Sequence, residues 1–157
     1  MMIDETDGRI LDLLQENARM SNAEIARQVG MAPSAVLERI RKLEERGVIR
    51  GYHASIRPEA YGVGLTAYVF VRADERAGAP TTAQRMAEFA EVQEVHHVAG
   101  EDCFLAKVRV AGPRELGKLL QEKFGSIETI RSTRSTIVLD TIKETGTLAR
   151  PDREEED

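Results

Sequence analysis

Three stretches of this chain carry side chains whose types and spacing suit chemistry. The first is basic. Between Arg27 and Arg57 stand seven basic residues against three acids, a local balance of +4 on a chain whose net charge is −5. Small residues, Ser34 and Ala35, precede Arg39, Arg41, Lys42, Arg46 and Arg50, so a backbone could approach a phosphate-bearing groove closely while guanidinium and ammonium groups neutralise it. The second is Gly100-Glu101-Asp102-Cys103-Phe104. Its glycine permits close backbone approach, and its acids could pair with a ligand ammonium. The third is Thr133, Ser135 and Thr136, hydroxyls able to receive a carboxylate. A polar hairpin tip followed by a Thr- and Ser-rich strand would read the same way without any ligand.

Other candidates fall away. His96 and His97 are adjacent, and on a strand they face opposite sides, so one chain cannot bring both to one metal. His53 is the only other histidine, and Cys103 the only cysteine, which excludes an internal disulfide and a thiolate zinc cluster. No basic neighbour in the sequence activates that thiol. No metal site and no cofactor are called for. The 157 residues are 41% hydrophobic and 31% charged, the balance of a folded, water-soluble chain, and aromatics are only 4%, so the core must be aliphatic. Apolar runs are far too short for a membrane span. Met1-Met2-Ile3-Asp4-Glu5 lacks the basic and apolar regions of a secretory leader, which points to the cytoplasm.

The elements that must position these residues follow from caps and periodicity. Asp4 suits the N-cap of a first helix carrying Ile10, Leu11 and Leu14 on one face. Ser21-Asn22-Ala23-Glu24 reads as a capping box for a second helix, which Gly30 ends. Pro33 opens a third, with Val36, Leu37, Ile40 and Leu43 as its buried stripe and Gly47 as its stop. Two helices joined by a tight turn, the second with a basic outer face, form the helix-turn-helix pattern. Val48–Ile56 has the composition of a short wing or linking strand, and Arg57–Gly62 is turn chemistry. Beyond Leu65 come a strand at Thr66–Arg72, a turn at Gly78-Ala79-Pro80, a helix at Thr81–Phe89, strands at Val92–Ala99 and Cys103–Val110, a helix from Gly112-Pro113 to about Phe124, and a last strand within Ile127–Lys143. The order β-α-β-β-α-β is the ferredoxin-like plan. The expected class is therefore α+β: a winged helix-turn-helix domain at 1–50, a linking strand and hinge at 51–64, a ferredoxin-like domain at 65–143, and an acidic, disordered tail at 144–157. A small sheet covered by helices on one face needs a polar surface or a second copy on the other.

The series Ile3-Asp4, Ala18-Arg19-Met20-Ser21, Glu24-Ile25-Ala26, Val29–Ser34, Leu37-Glu38-Arg39-Ile40, Leu43-Glu44 and Gly47–Tyr52 resembles the Lrp/AsnC family of transcriptional regulators. The resemblance runs from Ile3 to about Lys143. It implies a DNA-binding head, an effector-binding and oligomerisation role for 65–143, dimers formed through that domain and in some members assembled four at a time into octamers, and an amino acid bound between effector domains. The family's Gly-Asp/Glu-x-Asp-Tyr-Leu loop stands here as Gly100-Glu101-Asp102-Cys103-Phe104-Leu105, with Cys103 for the second acid and Phe104 for the tyrosine. Two-fold symmetry implies a palindromic operator. Relatives of this architecture that decarboxylate sirohaem make an enzyme the alternative. Such an enzyme needs a large cationic cleft, and residues 58–157 carry 13 basic against 18 acidic side chains. A non-DNA-binding adaptor is disfavoured by the intact first fifty residues.

Overall fold

The computed structural model describes residues 3–74 and 81–151. The expected turn at Gly78-Ala79-Pro80 and the acidic run Glu154–Asp157 lie outside them. The chain forms two compact units: residues up to Ala54 together with the segment from Lys143, and Ser55–Ile142.

Three helices make the first unit: α1 (Glu5–Glu16), α2 (Asn22–Val29) and α3 (Pro33–Glu45). Each begins and ends for a local reason. The Asp4 carboxylate accepts the Asp7 backbone N–H at 2.7 Å, filling one of the donors an opening turn leaves unpaired. The Ser21 hydroxyl accepts from the Glu24 N–H at 3.2 Å. The reciprocal half of the capping box is not made, because the Glu24 carboxylate is taken by Arg27 and Gln28. Gly30 closes α2 at φ +73°, a left-handed conformation costly for any residue with a Cβ. Pro33 occupies the first turn of α3. Ile10, Ile25, Ala26, Val36 and Ile40 form the core, with Leu13, Leu14, Val29 and Ile49 packed around it. Leu37, expected in the buried stripe, is 55% exposed. Three helices enclose a core too small to take every apolar position of α3.

The linking strand does not form. Ile49 packs under the helices, and the chain then runs without regular structure to a 3₁₀ turn at Pro58–Tyr61, closed by Gly62 at φ +70°. A strand without a neighbour leaves its hydrogen-bonding groups unpaired, and β-rich composition alone does not overcome that.

The second unit is an antiparallel sheet of β1 (Leu65–Ala73), β2 (Val92–His97), β3 (Phe104–Val110) and β4 (Ile130–Ile137), in the order β2-β3-β1-β4. Helix α4 (Thr81–Ala87) joins β1 to β2. Helix α5 (Pro113–Lys118) joins β3 to β4, continuing through a wide π turn at Leu119–Lys123 and a 3₁₀ turn at Phe124–Ser126. This is the ferredoxin-like arrangement. Alternation divides the strands. Ala67, Val69 and Val71 of β1, with Phe104, Ala106, Val108 and Val110 of β3, pack against Met86, Leu116, Leu119 and Phe124 of the helical layer. The opposite face carries rows set by register, Glu94–Lys107–Tyr68–Thr136 and His96–Leu105–Phe70–Arg134. Tyr68, Phe70 and Leu105 are half-buried there and lie outside the cluster that packs against the helices of this unit.

The segment from Glu144 is not a free tail throughout. Leu148 donates its backbone N–H to Gln15 Oε1 at 2.7 Å, and Arg150 pairs with Asp12 at 3.2 Å.

Candidate functional site

The first candidate surface is the outer face of α3. The tight turn between Gly30 and Pro33 fixes its start. Ser34, Arg41, Lys42, Arg46 and Arg50 are exposed, and Ala35 is half-buried beside Ser34. The exposed cations are partly balanced along the helix itself. Arg41 Nε donates to Glu45 at 2.9 Å, and Lys42 lies 3.7 Å from Glu38. Pairs as exposed as these contribute little to stability and release their cations readily to a phosphate. Just beyond the helix, Tyr52 donates its hydroxyl to Glu44 at 2.9 Å. Burial, reinforced by that carboxylate, pushes its pKa up to about 12.

Arg39 is placed differently from the rest of the basic set. Its guanidinium turns toward α1 and bonds Asp4 at 2.6 Å and Asp7 at 2.7 Å. The side chain of Asp7 is only 11% exposed and that of Arg39 32%. The hydrogen bonds that Arg39 donates to Asp4 and then to Asp7 raise its pKa above the ordinary value, so it stays charged. The Asp4 carboxyl is held below the usual carboxylate range, chiefly by the Asp7 backbone N–H and then by Arg39. Expected as a DNA contact, Arg39 is in this structure a clamp between α3 and α1. Two carboxylates one helical turn apart outcompete water for a planar guanidinium.

The second candidate lies at the β2–β3 loop. Gly100 adopts φ +139°, a conformation that favours glycine. Glu101 and Asp102 both reach strand cations. Arg72 of β1 bonds Glu101 at 3.4 Å, and Arg134 of β4 bonds Asp102 at 3.0 Å. The Arg134 guanidinium also lies over the Phe70 ring, 4.1 Å from its centroid, a cation–π contact that orients the arginine. The result is a compact cluster of both charge signs beside an aromatic face.

The remaining members of the expected effector set do not all join it. Phe104 is 5% exposed and belongs to the core. Register places it opposite Val71, on the helix-covered face, with the His97 ring 5.3 Å away. Its ring is therefore part of the core. Cys103 is half-buried, its Sγ donating to the Ala73 carbonyl at 3.4 Å. Thr133 and Ser135 pair with Val71 and Val69, whereas Thr136 pairs with Tyr68, so the three hydroxyls divide between the two faces. Only Thr136 shares the open face with Arg134. Arg72 was not anticipated. The alternation Tyr68, Phe70, Arg72 carried the signal, since it puts the arginine in line with the half-buried aromatics of the open face.

Among the described residues, no group of three His, Cys, Asp or Glu side chains is arranged to hold a metal ion. None of their helices is long and apolar enough to cross a membrane.

A three-helix head with a proline-opened basic helix, followed by an antiparallel sheet with a charged loop at its edge, defines a two-domain regulator: one domain for DNA, one for a ligand. Residues 3–50 match the family model described as winged helix-turn-helix DNA-binding, and residues 66–148 match the Lrp/AsnC ligand binding domain. The chain belongs to the Lrp/AsnC family of transcriptional regulators. It is 35% identical over 147 residues to the HTH-type transcriptional regulator FL11 of Pyrococcus abyssi, covering 93% of this chain and 95% of that one. It is 34% identical over 150 residues to the leucine-responsive regulatory protein of Escherichia coli, covering 93% and 90%. Among solved structures, a transcriptional regulator from Neisseria meningitidis in complex with L-Met superposes with a TM-score of 0.86 at 30% identity, covering 94% of this chain and 97% of that one. Escherichia coli AsnC superposes at 0.85 with 26% identity, covering 94% and 99%.

Proposed function

We propose that this regulator binds a palindromic operator through α3 and that an amino acid tunes the binding from the β2–β3 loop. The observation that carries the DNA half is the exposed surface of α3, with Ser34 and half-buried Ala35 in its first turn and Arg41 and Lys42 beyond, continued by Arg46 and Arg50. The small residues admit α3 into the major groove, and the cations meet phosphates on either side. Arg39 contributes by holding α3 to α1.

The sheet face with Tyr68, Phe70 and Leu105 in its centre supports a dimer in which a second copy covers it, and such dimers would need a further interface to assemble into octamers. Two heads then meet two half-sites. The effector is a small zwitterion. Its ammonium replaces Arg72 or Arg134 at Glu101 and Asp102, and its carboxylate takes the arginine so released. The complex of the Neisseria meningitidis relative with L-Met supports an amino acid as the ligand class. For such a ligand to regulate, it must bind the DNA-competent and incompetent assemblies unequally. The chain acts in the cytoplasm and without catalysis. A decarboxylase of many-carboxylate tetrapyrroles needs more cations than the two arginines that the loop gathers.

Fluorescence anisotropy of the purified protein with DNA from upstream of its own gene tests this. We expect saturable binding that exceeds binding to random DNA at ~0.15 M salt, the margin that marks specific recognition, and a shift in affinity with a pool of amino acids. Equal, salt-labile binding to all sequences overturns the specific-operator reading. Specific binding indifferent to every amino acid overturns the effector reading alone.

A further inference from the structure

The helix-turn-helix unit is built from two separate parts of the chain. The chain leaves it at Ala54 and re-enters it at Lys143. What the returning segment does there is specific. The Gln15 side chain holds Leu148 at two points, accepting its N–H at 2.7 Å and donating to its carbonyl at 3.3 Å. This is the pairing a β-strand neighbour would make, and it leaves the Leu148 side chain 77% exposed. Two residues on, Arg150 pairs with Asp12 at 3.2 Å, and its guanidinium crosses α1 directly over Gly8. A Cβ at Gly8 would stand 2.2 Å from Arg150 Nη1.

Gly8, Asp12 and Gln15 recur at i, i+4 and i+7, so they form one stripe of α1. All three meet the returning segment: Gly8 leaves room for the guanidinium, Asp12 supplies its counter-charge, and the Gln15 amide mimics backbone. Beneath Gly146–Arg150 runs a groove lined by apolar residues including Ile3, Leu11, Leu14, Val48 and Ile49.

We propose that Gly146–Arg150 is a strap that fastens the DNA-binding unit along α1 in the same chain, so that the unit is held by two connections rather than by the 51–64 linker alone. This rests on the DNA-binding reading for its consequence but not for its geometry. The strap restrains how the head is presented, and cutting it weakens operator binding without removing any residue of the α3 surface. The segment follows the effector domain's last strand at a distance, since residues 138–145 between them carry no regular structure.

Hydrogen exchange and anisotropy together test it, on the full-length protein and on a chain ending at Thr145. We expect α1 amides to exchange about tenfold faster in the shortened chain and specific DNA binding to weaken several-fold. Asp12→Arg and Arg150→Asp should each reproduce part of both effects, and the double reversal should restore them. Unchanged α1 exchange in the shortened chain overturns the strap, whatever the DNA result. Faster exchange with unchanged DNA affinity overturns its role in presenting the head. If the full-length protein binds no DNA, the DNA-binding reading has failed, and the exchange and its rescue still decide the strap. A short bis-maleimide on Asp12→Cys, Arg150→Cys chains carrying Cys103→Ser should join the two within one chain. Linked dimers instead would overturn the same-chain assignment.

Discussion

Two arginine–carboxylate clusters bridge distant parts of this chain, and they are not equivalent. At Arg39, two acids of one helix turn grip one guanidinium at 2.6 and 2.7 Å, and the Asp7 side chain is nearly withdrawn from water. At the β2–β3 loop, Arg72 meets Glu101 at 3.4 Å with the acid's side chain 92% exposed, and Arg134 meets Asp102 at 3.0 Å while itself 63% exposed. The first cluster cannot lose Arg39 without stranding the Asp7 charge in a poor dielectric. The second holds no side chain as buried as Asp7, since Asp102 is 25% exposed and its other members half or more, so it trades partners for water or for a ligand at smaller cost. Depth thus divides one chemistry into a structural clamp and an exchangeable site, and the clamp stands in the domain where sequence reasoning expected only DNA contacts.

Breaking the clamp should have the largest effect. Arg39→Ala leaves Asp7 without its cation and should lower the stability of the helix-turn-helix unit by about 1–3 kcal/mol, read as a reduced denaturant midpoint. DNA binding should fall too, but in step with unfolding and not with the salt dependence. The Arg41→Ala, Lys42→Ala double variant should do the reverse. It should bind operator about tenfold more weakly, with the slope of log affinity against log salt shallower by about 2, and with its denaturant midpoint nearly unchanged. If Arg39→Ala instead flattened the salt slope at full stability, the arginine would belong to the DNA surface and the contrast between the clusters would collapse.

How much of this was legible in the sequence depends on range. Asp4, Ser21, Gly30 and Pro33 act on backbone within a turn of themselves, and their roles could be read from spacing. So could the strand order, because alternation and turn residues repeat along unit 2. Leu37 was misread because periodicity states which side of a helix is apolar, not how much of that side a small core can cover. The alternation Phe104, Ala106, Val108, Val110 puts the Phe104 ring with the core, a placement that its position beside the loop does not announce. Register outweighs the identity of a loop-flanking residue. The pairs Arg72–Glu101 and Arg134–Asp102 join residues about thirty positions apart, and Gln15–Leu148 joins the two ends of the chain. Nothing local announces such partners. The glycine inside α1 was the one visible trace of the last, a helix-weakening residue with no turn to excuse it.

The loop cluster should respond to substitution chiefly in its ligand chemistry. Arg134→Ala removes the cation over Phe70 and frees Asp102, whose side chain is 25% exposed against 11% for Asp7, so stability should change less than in Arg39→Ala, by about 1 kcal/mol or less. Amino-acid sensitivity of operator binding should fall sharply, while affinity without ligand holds. A stability loss as large as that of Arg39→Ala would show the loop to be structural as well.

Acid gives the mildest distinction, and its sign is fixed by Asp4. The folded protein holds this carboxyl below its ordinary range, first through the Asp7 N–H and then through Arg39. A group depressed on folding contributes stability that is complete above its unfolded pKa and is lost as pH falls through the folded one. The wild-type unit should therefore keep its stability through neutral and weakly acid pH and lose it only below the usual carboxylate range. Arg39→Ala retains the N–H but not the guanidinium, so it has less to lose. The gap between wild type and variant should narrow as pH falls through that range, in denaturation series at fixed salt. A gap that stayed constant would mean that Arg39 stabilises through the packing of its stem, not through its charge.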